Sequence, residues 1–366
     1  MRGGRLRLAS LFNEIAAAEM VRRPDDCRLF VIELGGKRYA GSRDFACRSV
    51  AAMKDKQGFA ATLVCEPAGL EGVLSVWIDE ALRMGLVGTN RAEKLVDFKV
   101  AFPHLAGLAV SDQPADDYYF YPYGGGIISD APALIRAGYG DHEVLYQVMD
   151  LFSPKRGAGL AVCCTDTDGR YKGLALRKHV PGKQEANADV TRPPTAEEFT
   201  WTNSLERVPG IGLAYEYLRR TRKPGESFAP KDVALWAHPG DWHVAMRRYA
   251  DWCHRAWKFR PCPSRLTPVV NMIAAGWGKR PIYRDGKYRT DFVRPGCDCL
   301  ELMSWWEWSP LGPGGIPLDK LEEKLGKAKY ERWKGYLVDD PVTGKRMFSN
   351  NPGDYDGYNA RWGGLP

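Results

Sequence analysis

The chain has 366 residues, of which 44% are hydrophobic and 27% charged, and its net charge is +7. This length predicts two domains, or one domain and part of another, and the composition excludes a disordered chain and indicates no membrane span. The basic residues are spread over several runs without a nucleic-acid-binding motif, so we expect no nucleic-acid partner.

The first 24 residues precede the first strand-like run, and we expect them to be helical or poorly ordered. Their arginines are accompanied by Glu14 and Glu19, and a signal peptide does not tolerate acidic residues in its apolar core. The sequence as it stands therefore predicts a cytoplasmic protein. If this start is internal to a longer gene, a secreted protein stays open.

Residues 25–237 are predicted to form a β domain. Short apolar runs alternate with Gly-Gly, Pro-Gly and Asp-Gly turns, which is typical of antiparallel hairpins. Two hundred residues or so of this pattern predict a large two-sheet sandwich. The clearest strand-like runs are Leu29–Leu34, Phe59–Glu66, Gly72–Ile78, Gly157–Cys164 and Tyr171–Arg177.

One segment within this region, Asp116–Asp130, departs from the pattern because five aromatic residues stand beside three consecutive glycines. The aromatic side chains either cover a groove that a ligand enters, or form the edge of a sandwich strand that packs onto the next domain. We favour packing, because aromatic side chains more often pack than bind ligands.

Residues 238–297 are predicted to contain a linker helix followed by an approach segment. Asp241 is a natural N-cap, and apolar residues then recur at helical spacing. His243 and His254 are expected at the surface or in an interface rather than as ligands. The apolar positions are Val244, Met246, Tyr249, Trp252, Cys253, Ala256 and Trp257.

The nine cysteines are odd in number and irregularly spaced, which predicts reduced core residues rather than a disulfide framework. Cys297 and Cys299, taken with Cys262 and His254, invite a zinc interpretation. A zinc site needs four ligands, and one Cys-x-Cys pair without a matching pair does not supply them. On a strand, Cys297 and Cys299 would point to the same face, which suits small residues that face the core. We therefore predict core packing for the cysteines, with no metal and no cofactor.

Eleven of the twelve tryptophans follow residue 200, and three of them end an apolar, strand-like run. Trp305, Trp306 and Trp308 surround Glu307 in the sequence CLELMSWWEWSPLGP, which begins at Cys299. Aromatic faces bind the apolar face of a pyranose, and a carboxylate accepts hydrogen bonds from hydroxyls or exchanges a proton. The run predicts a carbohydrate-binding site at the end of a strand.

A second polar cluster lies close to the end of the sequence. Asp356 and Asn359 stand beside Tyr355 and Tyr358. These polar side chains either bind sugar hydroxyls or cap a turn and the helix that follows it. We count Asp356 and Asn359 among the predicted substrate-binding residues.

The order of these segments resembles a poorly characterised glycoside-hydrolase-like family that joins a galactose-mutarotase-like β-supersandwich to a (β/α)₈ barrel. The resemblance is carried by YYFYPYGGG, by GDWHVAMRRYADWCHRAW, by ELMSWWEWSPLGP and by GDYDGYNARWGGLP. It implies a mainly β fold in which residues 298–366 are the incomplete start of the barrel, with Asp298–Trp305 as its first strand. A full barrel needs about 250 residues.

The resemblance implies a glycoside hydrolase acting on an oligo- or polysaccharide. In such barrels the two catalytic carboxyl groups normally come from later strands, so this chain is expected to lack the complete pair. Glu307 is the candidate catalytic carboxylate, although a hydrogen-bonding or salt-bridged residue at the strand end is the more common role.

Two other functions stay open. The first is a non-catalytic carbohydrate-binding or structural module. The second is an epimerase-like enzyme that uses the sandwich groove, which would require His104 or His142 together with an acid such as Asp166.

Overall fold

A computed structural model describes residues 4–139, 144–170, 172–189 and 204–257, together with shorter segments of the remaining chain. Those shorter segments are 272–275, 283–284, 287–288, 299–302, 318–334, 337–339 and 346–348. The chain divides into two compact units, Met1–Phe259 and Arg260–Pro366.

The first unit consists almost entirely of strands. In chain order they are β1 (Phe12–Asn13), β2 (Ala18–Glu19), β3 (Leu29–Leu34), β4 (Lys37–Ala40), β5 (Ala46–Ala52), β6 (Gln57–Cys65), β7 (Leu70–Ile78), β8 (Leu82–Asn90), β9 (Val96–Leu108), β10 (Tyr118–Tyr121), β11 (Ile127–Ser129), β12 (Ala133–Tyr139), β13 (Val148–Ser153), β14 (Ala158–Cys164), β15 (Lys172–His179), β16 (Ala186–Asp189), β17 (Gly210–Arg222), β18 (Ser227–Phe228) and β19 (Val233–Pro239). Helix α1 (Trp242–Trp257) follows β19. Single 3₁₀ turns lie at Glu66–Ala68 and Pro114–Asp116.

These strands form two large sheets. The first has ten strands in the order β11-β10-β13-β14-β19-β8-β7-β6-β5, with β18 also paired to β8. The second has seven strands in the order β16-β12-β15-β17-β9-β3-β4, and all of its pairs are antiparallel except β12 with β16. The prediction of a mainly β chain with a large antiparallel sandwich is confirmed.

The core lies between the two sheets, because one cluster of buried side chains draws on both. Leu63 and Leu151 of the ten-stranded sheet belong to the same cluster as Phe102 and Leu174 of the other. Tyrosine hydroxyls also join the sheets: Tyr121 donates to the carbonyl oxygen of Leu174 at 2.8 Å. This bond satisfies buried polar groups that would otherwise destabilise the core.

Strands β13 and β14 are buried at every position, unlike the edge strand β5. One face of each packs in the core, and the other packs under helix α1. Val148, Ala161 and Cys163 form a second apolar cluster with Tyr249 and Trp252 of the helix. Burial on both faces explains the continuous apolar run of β14, whereas β13 also carries the buried polar residues Asp150 and Ser153.

The predicted helix is present as α1, within the first unit. The carboxylate of Asp241 accepts the backbone N–H of His243 at 3.0 Å, which is the contact expected of an N-cap. Ala245, rather than the neighbouring Val244, is fully buried beside Tyr249. His243 and His254 are exposed, as expected for surface residues.

The aromatic segment packs rather than lining a groove. Tyr119 and Tyr121 lie in the core, and Phe120 points to the opposite face, where its ring stacks on Trp242 of α1 at 5.3 Å between centroids. Gly124 to Gly126 all have positive φ and form the turn between β10 and β11. The aromatic side chains pack, as we favoured, but onto helix α1 of the same unit rather than onto the next domain.

The expectation of a helical or poorly ordered start is wrong for residues 4–24, which contain the β1–β2 hairpin. Side chains impose this structure: Asn13 accepts the N–H groups of Ile15 and Ala16, and Glu19 accepts those of Leu11 and Val21. Such bonds offer the backbone an alternative to a helix. The amide of Asn13 also donates to Gly159, which fixes the hairpin to the sheet.

The structure describes the side chains of six cysteines, and all six are free thiols. Four of them, Cys27, Cys65, Cys163 and Cys164, are buried. This agrees with the prediction of reduced core residues. Cys297 and Cys262 lie outside the described residues, as does the side chain of Cys299.

The described elements of the second unit are short. They are β20 (Met272–Ala275), β21 (Tyr283–Arg284), β22 (Lys287–Tyr288), β23 (Cys299–Leu302), helices α2 (Leu321–Leu325) and α3 (Lys327–Lys334), β24 (Leu337–Asp339) and β25 (Arg346–Phe348). Strands β20 and β23 pair in parallel, with Met272 opposite Cys299 and Ala275 opposite Leu302. The other two pairs are antiparallel. Within the described residues, no helix has the length and apolar character needed to span a membrane.

Candidate functional site

The predicted carbohydrate site follows strand β23. Trp305, Trp306, Glu307 and Trp308 lie outside the described residues, and so do Asp356 and Asn359. The structure describes the strand that leads to the tryptophans, Cys299–Leu302, and its parallel partner β20. Because the two strands run in the same direction and end in register, the chain leaves both of them at the same edge of the pair.

Trp277 was not among the residues predicted for the carbohydrate site. Strand β20 lies inside the segment predicted as an approach to the barrel, and in the sequence it is followed directly by Gly276 and Trp277. The sequence contains the same pattern at both places. The apolar run MIAA is followed by Gly276 and Trp277, just as the apolar run CLEL is followed shortly by the other tryptophans. Trp277 itself lies outside the described residues.

The epimerase-like alternative requires an accessible histidine close to an acid. His104 is fully buried on β9, where its Nε2–H donates to the carbonyl oxygen of Ser204 at 3.0 Å. Burial lowers the pKa of His104, so the ring is neutral near pH 7. A neutral ring sealed from solvent cannot exchange protons with a substrate, and His142 lies outside the described residues.

Asp166 is also buried, and it forms part of a different cluster. Its carboxylate accepts hydrogen bonds from Lys172 Nζ at 2.8 Å and from the backbone N–H groups of Asp168 and Arg170. Burial raises the pKa of Asp166, but the hydrogen bond and charge of Lys172 outweigh this and lower it. The described residues show no hydrogen bond between Asp166 and His104, so the structure does not assemble the pair that an epimerase-like site needs.

A closed histidine–carboxylate pair lies where β19 leads into α1. His238 Nε2 is 3.0 Å from Asp150 Oδ1, and both side chains are buried. His238 Nδ1 lies 3.1 Å from the carbonyl oxygen of Pro239. Because both ring nitrogens face oxygen acceptors inside the protein, this pair has a structural role.

A second histidine–carboxylate pair has a partly exposed histidine and a largely buried carboxylate. His179 Nδ1, at the end of β15, donates to Glu185 Oε1 at 2.6 Å, and Arg177 donates to Glu185 Oε2 at 2.8 Å. Arg207 Nε lies 3.5 Å from the same carboxylate. Burial raises the pKa of Glu185, but the hydrogen bonds from Arg177 and His179 lower it overall, so the carboxylate is ionised.

The described residues contain three histidine–carboxylate pairs: His179 with Glu185, His238 with Asp150, and His243 with Asp241. In the first of these, one ring nitrogen is left for a further contact. An ionised carboxylate orients the imidazole, and in the described part of the chain no hydrogen bond occupies its Nε2. Sequence reasoning did not find this pair, because the histidine and glutamate belong to no spacing motif and meet only where the chain turns after β15. The arrangement alone does not define a substrate.

Metal binding has no support among the residues that the structure describes. No group of three or more histidine, cysteine, aspartate or glutamate side chains is close enough together there to hold an ion. The basic side chains around Glu185 would also repel a cation.

No protein family model and no curated protein matches the sequence. Among solved structures, the chain is similar to the GH36 α-galactosidase AgaB from Geobacillus stearothermophilus, with 10% identity, a TM-score of 0.41, and coverage of 90% of this chain and 50% of that one. It is similar to the α-N-acetylgalactosaminidase NagBb from Bifidobacterium bifidum, with 10% identity, a TM-score of 0.45, and coverage of 73% and 40%.

A third similar structure is a galactose mutarotase-like protein from Lactobacillus casei, with 14% identity, a TM-score of 0.35, and coverage of 63% of this chain and 94% of that one. The chain spans half or less of the length of the α-galactosidase and of the α-N-acetylgalactosaminidase.

Proposed function

We propose that this chain is the N-terminal part of a glycoside hydrolase and binds an oligo- or polysaccharide. Residues 25–237 are the supporting sandwich, 238–297 the linker and approach, and 298–366 the beginning of the catalytic barrel. The observation that carries the proposal is the parallel pairing of β20 with β23 directly after an antiparallel sandwich and a capped helix.

Parallel pairing supports a barrel because neighbouring parallel strands require a crossover connection of about a dozen residues or more. Residues 276–298 connect β20 to β23. The sandwich of the first unit has one parallel pair, β12 with β16, among its antiparallel pairs. The order of sandwich, helix and parallel pair is also the order that the sequence resemblance implies.

The location of the tryptophans supports carbohydrate as the ligand. Barrel enzymes place their active sites in the loops that follow the carboxyl ends of the parallel strands. In the sequence, Trp277 follows β20, and the tryptophans beginning at Trp305 follow β23. We propose that these residues line one side of a sugar site, with Glu307 hydrogen-bonding to hydroxyls.

Replacement of Trp306 tests this site. In calorimetric titration of the purified chain with neutral oligosaccharides, Trp306→Ala is expected to weaken binding by about 1–3 kcal/mol, because an aromatic platform is lost. Trp277→Ala is expected to act in the same direction. Phe12→Ala is the matched control, since Phe12 is an exposed aromatic residue of the other unit.

The site would be removed from the proposal if Trp306→Ala bound neutral oligosaccharides with unchanged affinity. It would also be removed if the unaltered chain bound no neutral oligosaccharide. A loss of affinity in Phe12→Ala equal to that in Trp306→Ala would argue for a nonspecific effect.

The alternative of a non-catalytic binding module is favoured by one observation: a single carboxylate, Glu307, stands among the tryptophans. Glycosidases use two carboxyl groups about 5–10 Å apart. A hydrolysis assay distinguishes the glycoside hydrolase from the non-catalytic module. A chain extended along the reading frame is expected to release reducing sugar from the bound glycan, and binding without hydrolysis in that longer protein favours the module.

A further inference from the structure

A cleft opens at one end of the sandwich, where loops of the two sheets meet. Its volume is about 630 Å³, within the range of roughly 300–1,000 Å³ that is usual for ligand sites. Four parts of the chain line it: the β3–β4 hairpin, the 3₁₀ turn at Glu66–Ala68, the connection from β8 into β9, and the end of β17.

The wall formed by the β8–β9 connection is held in place by Asn90, which is fully buried. The amide nitrogen of Asn90 donates to the carbonyl oxygens of Lys94 at 2.8 Å and Arg222 at 3.0 Å. Its amide oxygen accepts the N–H of Ala92 at 2.9 Å. One side chain therefore fixes both ends of the loop that carries Lys94, and the site is preorganised.

The lining combines an apolar surface with hydrogen-bonding groups. Tyr39 and Leu34 provide the apolar side together with Leu95, which is 59% exposed. On the other side, Asp97 accepts a hydrogen bond from the Thr221 hydroxyl. Isolated exposed leucines are common on proteins, but one at the rim of a cleft that also holds a tyrosine favours contact with a ligand.

The charge at the cleft is set by Lys94. The ammonium group of Lys94 forms no hydrogen bond or ion pair with any residue that the structure describes. A second ammonium group, that of Lys37, lies 5.1 Å from the centroid of the Tyr39 ring and forms no ion pair with a described residue. The acidic groups nearby are Asp97, with Arg219 at 4.0 Å, and the exposed Glu93. The cleft therefore offers both an unneutralised ammonium group and a carboxylate with free lone pairs.

We propose that this cleft binds a sugar unit that carries a carboxylate or a sulfate. Lys94 pairs with the anionic group, Asp97 and Thr221 hydrogen-bond to ring hydroxyls, and the apolar face of the sugar lies against Tyr39 and Leu95. The inference rests on the proposed function only for its ligand class, carbohydrate. The site lies on the sandwich and is independent of the tryptophans after β23.

Calorimetric titration with three probes tests this site: a glucuronic acid trisaccharide, the matched glucose trisaccharide, and inorganic sulfate. The acidic trisaccharide is expected to bind more tightly than the neutral one, with an affinity that falls as salt is added. Lys94→Ala is expected to weaken binding of the acidic probe about fivefold, the upper range for an exposed ion pair, and to leave the neutral probe unaffected.

Lys54→Ala is the matched control, because it removes the same charge from an exposed position on the loop between β5 and β6. Equal effects of the two lysine variants on the acidic probe would overturn the proposal. So would a neutral probe that binds as tightly as the acidic one in a Trp306→Ala background, in which the other proposed site is weakened. Binding of sulfate alone with the affinity of the acidic trisaccharide would also overturn it, since the sugar would then contribute nothing.

The two proposals fail separately. Trp306→Ala is expected to leave the affinity for the acidic trisaccharide unchanged, and Lys94→Ala is expected to leave neutral glycan binding at the tryptophans unchanged. Tyr39→Ala is expected to weaken binding of the acidic trisaccharide about tenfold through loss of its ring. An unchanged affinity in that variant argues against contact between the sugar and the apolar side.

Discussion

Two lysine–aspartate pairs of nearly equal length show how environment determines the role of a residue. Lys172 and Asp166 are 2.8 Å apart and fully buried, whereas Lys155 and Asp116 are 2.7 Å apart and largely exposed. The ammonium group of Lys172 also donates to Gln147 and to the carbonyl oxygen of Arg170, and it lies over the Tyr139 ring. All three of its protons are therefore used inside the protein.

Substitution of the two lysines by methionine should separate these environments. Lys172→Met leaves Asp166 buried without its partner charge, and we expect a loss of about 3–5 kcal/mol in the free energy of unfolding. Lys155→Met removes an exposed pair, and the expected loss is below about 1 kcal/mol. Urea denaturation followed by tryptophan fluorescence measures both, and equal losses would contradict the assignment of Lys172 to a structural network.

At the scale of elements, the sequence predicted what depends on local pattern. The spacing of apolar residues and the cap at Asp241 located helix α1, and apolar runs located strands β3, β6, β7, β14 and β15. The two longest strands, β9 and β17, were not among the predicted runs. The sequence did not predict that β19 would lie between β14 and β8 in the sheet. Strand order is decided by contacts between distant residues, which leave no periodic signal in the sequence.

The errors also have physical causes. The β1–β2 hairpin was missed because side chains of Asn13 and Glu19, not an apolar pattern, hold its backbone. Of the predicted sugar site, only the strand that precedes it is described. The pairing of His179 with Glu185 could not be predicted, because it depends on the path of the chain after β15.

The buried pair of His238 and Asp150, at the junction between β13, β19 and α1, should make the free energy of unfolding depend on pH. Burial lowers the pKa of His238, but the hydrogen bond and charge of Asp150 outweigh this and raise it above 6.5. Burial also raises the pKa of Asp150. A group whose folded-state pKa is raised contributes stability that is present below its unfolded-state pKa and is lost as pH rises through its folded-state pKa.

We therefore expect the free energy of unfolding to fall as the pH rises from about 6 through the raised pKa of His238. In His238→Gln this dependence should be weaker, since the titrating ring is gone. Denaturation curves between about pH 5 and pH 9 measure the effect. His243→Gln, which changes an exposed histidine beside Asp241, is the control, and a wild-type curve that rises over this range would contradict the prediction.

For the whole molecule, the division into Met1–Phe259 and Arg260–Pro366 predicts two unfolding transitions. Scanning calorimetry of the full chain should resolve them. A fragment of residues 1–259 should show a single transition. That transition should be the one that Lys172→Met moves to lower temperature in the full chain. A single transition in the full chain, absent from the fragment, would show instead that the sandwich depends on the rest of the chain for its stability.

The order of strands in the two sheets constrains how the protein is made. Strand β9 has β17 as one neighbour, and β8 is completed by β19, so both sheets join the early chain to strands more than a hundred residues later. During synthesis β8 and β9 leave the ribosome well before their later partners β19 and β17 exist. The backbone edges that β8 and β9 present to those partners stay unpaired for that time, which exposes the nascent chain to aggregation. The same long-range pairing makes refolding slow, on the order of milliseconds to seconds.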